Sequence, residues 1–187
     1  LMSNLLAWHL GDFDGDGRAD LLHIISNNSG ARLTVASFDD SGWKAQSTGV
    51  THPSVPGGWG AYKGRNNVVR WQVADVNGDG LSDLVRLIST DNTFTVQSLE
   101  SLGAQGWKNS VDTVSLPSGS AAEKSFGAHD WYNFDVDGDG LADFVYFAPP
   151  VGNTLTATVL YASGTGYGRV EQRNIDNDSP RFQPRPT

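Results

Sequence analysis

The sequence predicts an all-β protein assembled from three four-stranded repeats of about 60 residues, and three observations carry that expectation. Short apolar runs with strand character recur between turn-forming residues, and the chain holds 22 glycines, eight prolines and many Ser, Thr and Asn clusters to make those turns. A nine-residue acidic, glycine-bearing segment occurs three times, beginning at Asp12, Asp75 and Asp135, at steps of 63 and 60 residues. A tryptophan stands four residues ahead of each copy, at Trp8, Trp71 and Trp131. No stretch carries the apolar period of an amphipathic helix over a useful length.

Each unit reads in the same order. Around the tryptophan the apolar residues alternate, as in Val69, Trp71 and Val73, which predicts a first strand with the tryptophan in the core or between sheets. The acidic segment follows, and then a short run that reads as a buried strand: Leu21–Ile25, Leu84–Ile88 or Phe144–Ala148. After a polar turn comes a run of period two, at Leu33–Phe38, Phe94–Leu99 or Leu155–Tyr161. A Gly-aromatic pair, Gly42-Trp43, Gly106-Trp107 or Gly166-Tyr167, opens a more polar fourth strand suited to an exposed edge. The units run at about 1–63, 64–124 and 125–175, with a proline-rich tail at 176–187 that cannot form a central strand. Between them, Thr51–Asn67 and Pro117–His129 are long enough to carry surface function.

The acidic segments are Asp12-Phe13-Asp14-Gly15-Asp16-Gly17-Arg18-Ala19-Asp20, Asp75-Val76-Asn77-Gly78-Asp79-Gly80-Leu81-Ser82-Asp83 and Asp135-Val136-Asp137-Gly138-Asp139-Gly140-Leu141-Ala142-Asp143. Oxygen ligands at positions 1, 3, 5 and 9, with glycines at 4 and 6, suit a tight loop around one hard cation. The expected donors are Asp12, Asp14, Asp16 and Asp20; Asp75, Asn77, Asp79 and Asp83; and Asp135, Asp137, Asp139 and Asp143. The position-7 carbonyls of Arg18, Leu81 and Leu141 complete each set. Three calcium ions per chain are expected. An EF-hand is excluded, because position 12 is His23, Arg86 or Tyr146 instead of a bidentate Glu, and strands flank the loop instead of helices.

The formal charge is −8, and the three loops hold eleven of the 21 acidic side chains, so three divalent cations would bring the total to about −2. The acidity is therefore mostly ligand. Without a basic stripe, nucleic acid and anionic membrane surfaces are not expected partners. No apolar run approaches the length of a membrane span. The four histidines, His9, His23, His52 and His129, lack metal-ligand spacing. No nucleophile with a base and no pair of catalytic acids is visible, so an enzyme is not expected. The chain has no cysteine, and a metal-stapled fold in a calcium-rich, extracellular setting can dispense with disulfides.

The Asp-x-Asp-x-Asp-Gly-x-x-Asp loops between strands resemble the FG-GAP or VCBS repeats of integrin-α-type β-propellers, over nearly the whole chain. Gly57-Gly58-Trp59 followed by Arg70-Trp71-Gln72-Val73-Ala74-Asp75 is similar to the blades of fungal lectins of the Psathyrella velutina type, and similar repeats build propellers of toxin-complex and Rhs-like secreted proteins. The resemblance implies propeller blades, calcium and recognition. A carbohydrate or protein ligand is therefore expected, with Trp59, Tyr62 and His129 as candidate contacts because aromatic faces stack on sugars. A non-catalytic structural segment of a larger secreted, adhesin or toxin-complex protein is the alternative. Three blades make only an arc, so further blades are expected from a parent chain or from a homo-oligomer.

Overall fold

The computed structural model describes residues 6–27, 30–51, 71–90, 93–115, 131–148 and 150–176. Within them the chain forms three four-stranded antiparallel sheets and no α-helix. The first sheet comprises β1 (Leu6–Gly11), β2 (Asp20–Asn27), β3 (Gly30–Asp39) and β4 (Gly42–Thr51). The second comprises β5 (Gln72–Ala74), β6 (Asp83–Thr90), β7 (Thr93–Ser101) and β8 (Trp107–Ser115). The third comprises β9 (Trp131–Phe134), β10 (Asp143–Phe147), β11 (Thr154–Ala162) and β12 (Tyr167–Asp176). Every sheet is a meander in chain order. The polar fourth strands β4, β8 and β12 lie at sheet edges, where their outer backbone groups meet water.

Register repeats with sequence. Leu21 pairs with Ala36 and Ala36 with Ala45; Leu84 pairs with Leu99 and Leu99 with Asn109; Phe144 pairs with Leu160 and Leu160 with Val170. Positions equivalent in the sequence repeat are thus equivalent in the sheets. Because side chains alternate along a strand, each sheet has two faces of fixed composition. The forward face looks toward the next sheet in the chain, and the rear face toward the preceding one.

Two apolar seams join the three sheets. Forward residues Leu22, Ile24 and Leu33 of the first sheet pack on rear residues Trp71, Leu84 and Leu99 of the second, with Phe13 of the first loop. Forward residues Val85, Leu87, Val96 and Val114 of the second pack on rear residues Trp131, Phe144, Tyr146 and Leu160 of the third. The tryptophans follow this order. Trp71 and Trp131 are 6% and 3% exposed, whereas Trp8 is 59% exposed. The expectation of inter-sheet packing holds for two of them and fails for Trp8, since no described residues cover the rear of the first sheet. On the forward side of the third sheet, Val145, Ala157, Val159 and Tyr161 form a small cluster of their own, and the Arg169 guanidinium lies 4.0 Å from the Tyr161 ring centroid.

At each seam the loops meet as well as the sheets. The Ser82 amide donates to the Asp12 carbonyl at 2.6 Å, and the Ala142 amide to the Asp75 carbonyl at 3.0 Å. Gly11, at the end of β1, lies at the tightest point: a methyl group there would sit 2.7 Å from Ser82 Cβ and 3.0 Å from Val73 Cγ1. Ala74, its equivalent in the second sheet, packs on the second seam. Gly11→Ala is therefore expected to lower the unfolding free energy by about 1–3 kcal/mol, as overpacking does. Chemical denaturation checks this, and Ser82→Gly in the same chain is expected to restore part of the loss.

Candidate functional site

Position 1 of each loop shapes the turn. Asp12 accepts hydrogen bonds from the Gly15 and Gly17 amides at 2.7 and 2.8 Å, and Asp75 from Gly78 and Gly80 at 2.7 and 3.0 Å. Asp135 does the same with Gly138 and Gly140 at 2.6 and 3.0 Å. The glycines adopt φ near +80°, with Gly15 at +83° and Gly17 at +81°, which side-chain-bearing residues avoid. Position 5 accepts from the position-7 amide: Asp16 from Arg18, Asp79 from Leu81 and Asp139 from Leu141.

Position 9 differs from the others. Asp20, Asp83 and Asp143 head β2, β6 and β10 and are buried. Each accepts from the position-2 amide, of Phe13 at 2.8 Å, Val76 at 3.0 Å and Val136 at 3.0 Å. Asp83 and Asp143 also accept from Ser101 and Ala162 at the ends of β7 and β11. Burial pushes the Asp83 carboxyl up to about 7, with the backbone hydrogen bonds opposing it and the Asp79 and Asp75 charges adding to it. Burial shifts Asp20 and Asp143 in the same direction.

Three carboxylates gather closely enough for a hard divalent cation in two of the three loops, with Asp20 outside the first group and Asp139 outside the third. One oxygen from each of Asp12, Asp14 and Asp16 lies within 4.8 Å of the others, and the same holds for Asp135, Asp137 and Asp143. Oxygens on opposite sides of a calcium ion, with bonds of about 2.4 Å, would be separated by about that much. In the second loop Asn77 Oδ1 accepts from the Asp79 amide at 3.0 Å, and Asn77 Nδ2 donates to Asp79 Oδ2 at 3.1 Å. Arginines attend the other two loops. Arg18 pairs with Asp16 at 2.6 Å and holds its carboxyl below the ordinary range, and Arg169 lies 3.8 Å from Asp137. Of the candidate ligand contacts, Trp59, Tyr62 and His129 lie outside the described residues, as do the inter-unit segments that carry them apart from Thr51 at the end of β4.

A cleft of about 440 Å³ opens beside the first loop, between the first two sheets. Ser37, Lys44, Gln46 and Thr48 line it from the first sheet, Asp14 and Asp16 from the loop, and Ala104 and Trp107 from the second unit. Its aromatic wall is continuous with the core, since the Trp107 ring lies 5.8 Å from that of Phe13. The equivalent positions between the second and third sheets carry acidic side chains that the protein itself engages. There Glu100 stands in place of Ser37 and accepts from Lys108 at 2.7 Å and from Ser110. Asp112 stands in place of Thr48 and accepts from the Tyr167 amide at 3.1 Å. The Gly-aromatic pairs were the only sequence signal for this cleft.

The three position-9 carboxyls bind a proton more tightly in the folded chain than in the unfolded one, whose carboxyls titrate near 4. Their contribution is full below about pH 4 and is lost as pH rises through about 7 for Asp83. His9 acts oppositely, because burial lowers its pKa and protonation below about 6.5 favours unfolding. In excess chelator, the melting temperature of the His9→Gln variant is therefore expected to fall from pH 5 to pH 8. A rise over that range would mean that these carboxylates ionise in the fold without cost.

Comparison with protein-family models, with curated proteins and with solved structures returned no match, so the loops and the cleft carry the functional reading.

Proposed function

We propose that the chain is a calcium-stabilised extracellular recognition module that takes carbohydrate in the cleft between its first two sheets. The three sheets are read as successive blades of an FG-GAP or VCBS-type propeller. Fifteen residues hold three calcium ions, by side chain at positions 1, 3, 5 and 9 and by the carbonyls of Arg18, Leu81 and Leu141. Calcium supplies the positive charge that offsets carboxylates crowded into one turn, and so adds folding free energy. The position-1 side chain orients the glycine amides, and the position-9 side chain anchors the loop to the next strand. No catalytic role is assigned to any residue.

The difference between the two equivalent crevices carries the ligand reading. Glu100 and Asp112 stand in the second unit where the first has the smaller Ser37 and Thr48, beside which the cleft opens. Trp107 and Phe13 give it an apolar wall, and Ser37, Lys44, Gln46 and Thr48 give it donors and acceptors. An aromatic wall with polar neighbours suits the apolar face and hydroxyl rim of a sugar.

A glycan array probed with the calcium-loaded chain tests this reading. Reproducible hits are expected, with affinity reduced at least about tenfold, roughly 1.4 kcal/mol, in Lys44→Ala with Gln46→Ala. The melting temperature of that variant is expected to stay close to the parent's, because both side chains are exposed and their contacts, Lys44 with Asp39 and Gln46 with the Ala104 carbonyl at 3.4 Å, are surface contacts that contribute little. Calcium is expected to raise the melting temperature of both proteins. A calcium-dependent melt without any glycan hit would leave the structural-segment reading in its place.

A further inference from the structure

We propose that the rear face of the first sheet is a docking surface for one more four-stranded unit of this same repeat, and that the third sheet of a second copy does not fit it. The proposal is independent of what the cleft binds. It rests on continuity with the two seams already formed, whose rear sides use the same positions. In each sheet the tryptophan contacts the residue at the fourth place of the second strand. Trp8 stacks on His23 at 4.2 Å, the Arg86 guanidinium lies 4.9 Å from the Trp71 centroid, and Trp131 meets Tyr146 at 5.6 Å. The pairs at Trp71 and Trp131 are buried under the preceding sheet, whereas Trp8 is exposed beside a half-buried His23. Leu10, Phe38 and Trp43 extend the bare patch, and Trp43 is the equivalent of Trp107 and Tyr167, which meet their preceding sheets.

Charge points to the same occupant. Leu81 and Leu141 reach over the loop of the preceding unit, with methyl carbons 2.8 and 2.9 Å from where a Cβ on Gly15 or Gly78 would stand. The equivalent residue of the first unit is Arg18. A preceding unit of this repeat would place an acidic loop at that point, and the Arg18 guanidinium, which pairs with Asp16 of its own loop at 2.6 Å, would lie beside it.

The occupant's forward face must be aliphatic and must end in a small residue. At the two existing seams that residue is Gly11 or Ala74, and even a methyl on Gly11 would approach Ser82 to 2.7 Å. The equivalent residue of the third sheet is Phe134, 47% exposed. Its phenyl ring obstructs the same pose, and Arg169, Glu171 and Arg173 place an ion-pair cluster where the second sheet packs Lys108, Ser110 and Asp112. The stack is therefore open to a further unit at its first sheet and closed to self-association through its third.

Oxidative footprinting read by mass spectrometry tests this. In the calcium-loaded 187-residue chain, Trp8 and Trp43 are expected to oxidise readily at every protein concentration. Protection of both at high concentration, with dimers by light scattering, would overturn the proposal in favour of a second copy. A longer chain is then made by placing a second copy of residues 64–124 ahead of Leu1, which puts Trp8 at nearly the spacing that Trp131 has from the native second unit. Oxidation of Trp8 and Trp43 is expected to drop to the level of Trp131, and Ala74→Phe in the added copy is expected to restore it. Unchanged oxidation in the longer chain would overturn the proposal.

Discussion

A carboxylate buried at the head of the second strand of each unit holds the rest of this structure in place. Asp83 is the fullest case: it accepts from the Val76 amide in its own loop and from the Ser101 amide at the end of β7. One side chain thus fixes where the loop leaves β5, where it enters β6 and where β7 turns. Asp143 repeats the arrangement through Val136 and Ala162. Buried amides need partners, and a carboxylate with two oxygens satisfies two of them. Burial makes the ionised form costly, which is visible in the raised Asp83 pKa of about 7. The same buried group therefore serves the fold as a hydrogen-bond acceptor and ties its stability to protons.

Much of this architecture is legible in the sequence, because the repeat places strand, loop, strand and turn in a constant order. The second and third strands lie where period two and apolar runs put them, and the polar fourth strands lie at edges. Trp8 shows where that reading stops. Alternation specifies which face a residue occupies, but whether the face has a neighbour depends on the number of units, which no local pattern contains. Position 9 shows a second limit. Spacing marks Asp20, Asp83 and Asp143 only as expected ligands, while their bonds to backbone amides follow from burial at a strand start.

The cleft was illegible for a related reason. Ser37 and Thr48 are unremarkable residues on strands, and their meaning appears only beside Glu100 and Asp112 at the same places in the next unit. Similarly His23, Arg86 and Tyr146 look like an arbitrary variable position. In space all three contact the tryptophan of their own sheet. A stacked imidazole, a guanidinium and a phenol ring are alternative flat surfaces for the indole.

The meander has a consequence for how the chain reaches this state. Among the described residues every strand pairs only with its neighbour in sequence, and the turns between second and third strands span as little as Thr90 to Thr93 or Asn27 to Gly30. Closing such short loops loses little chain entropy, so the hairpins of each unit are topologically easy to form. The seams are different, since Asp12 meets Ser82 and Asp75 meets Ala142 across more than sixty residues. Pairing within a unit is thus local, while consolidation between units is long-range, so loop-closure entropy weighs on the interfaces instead of on the sheets.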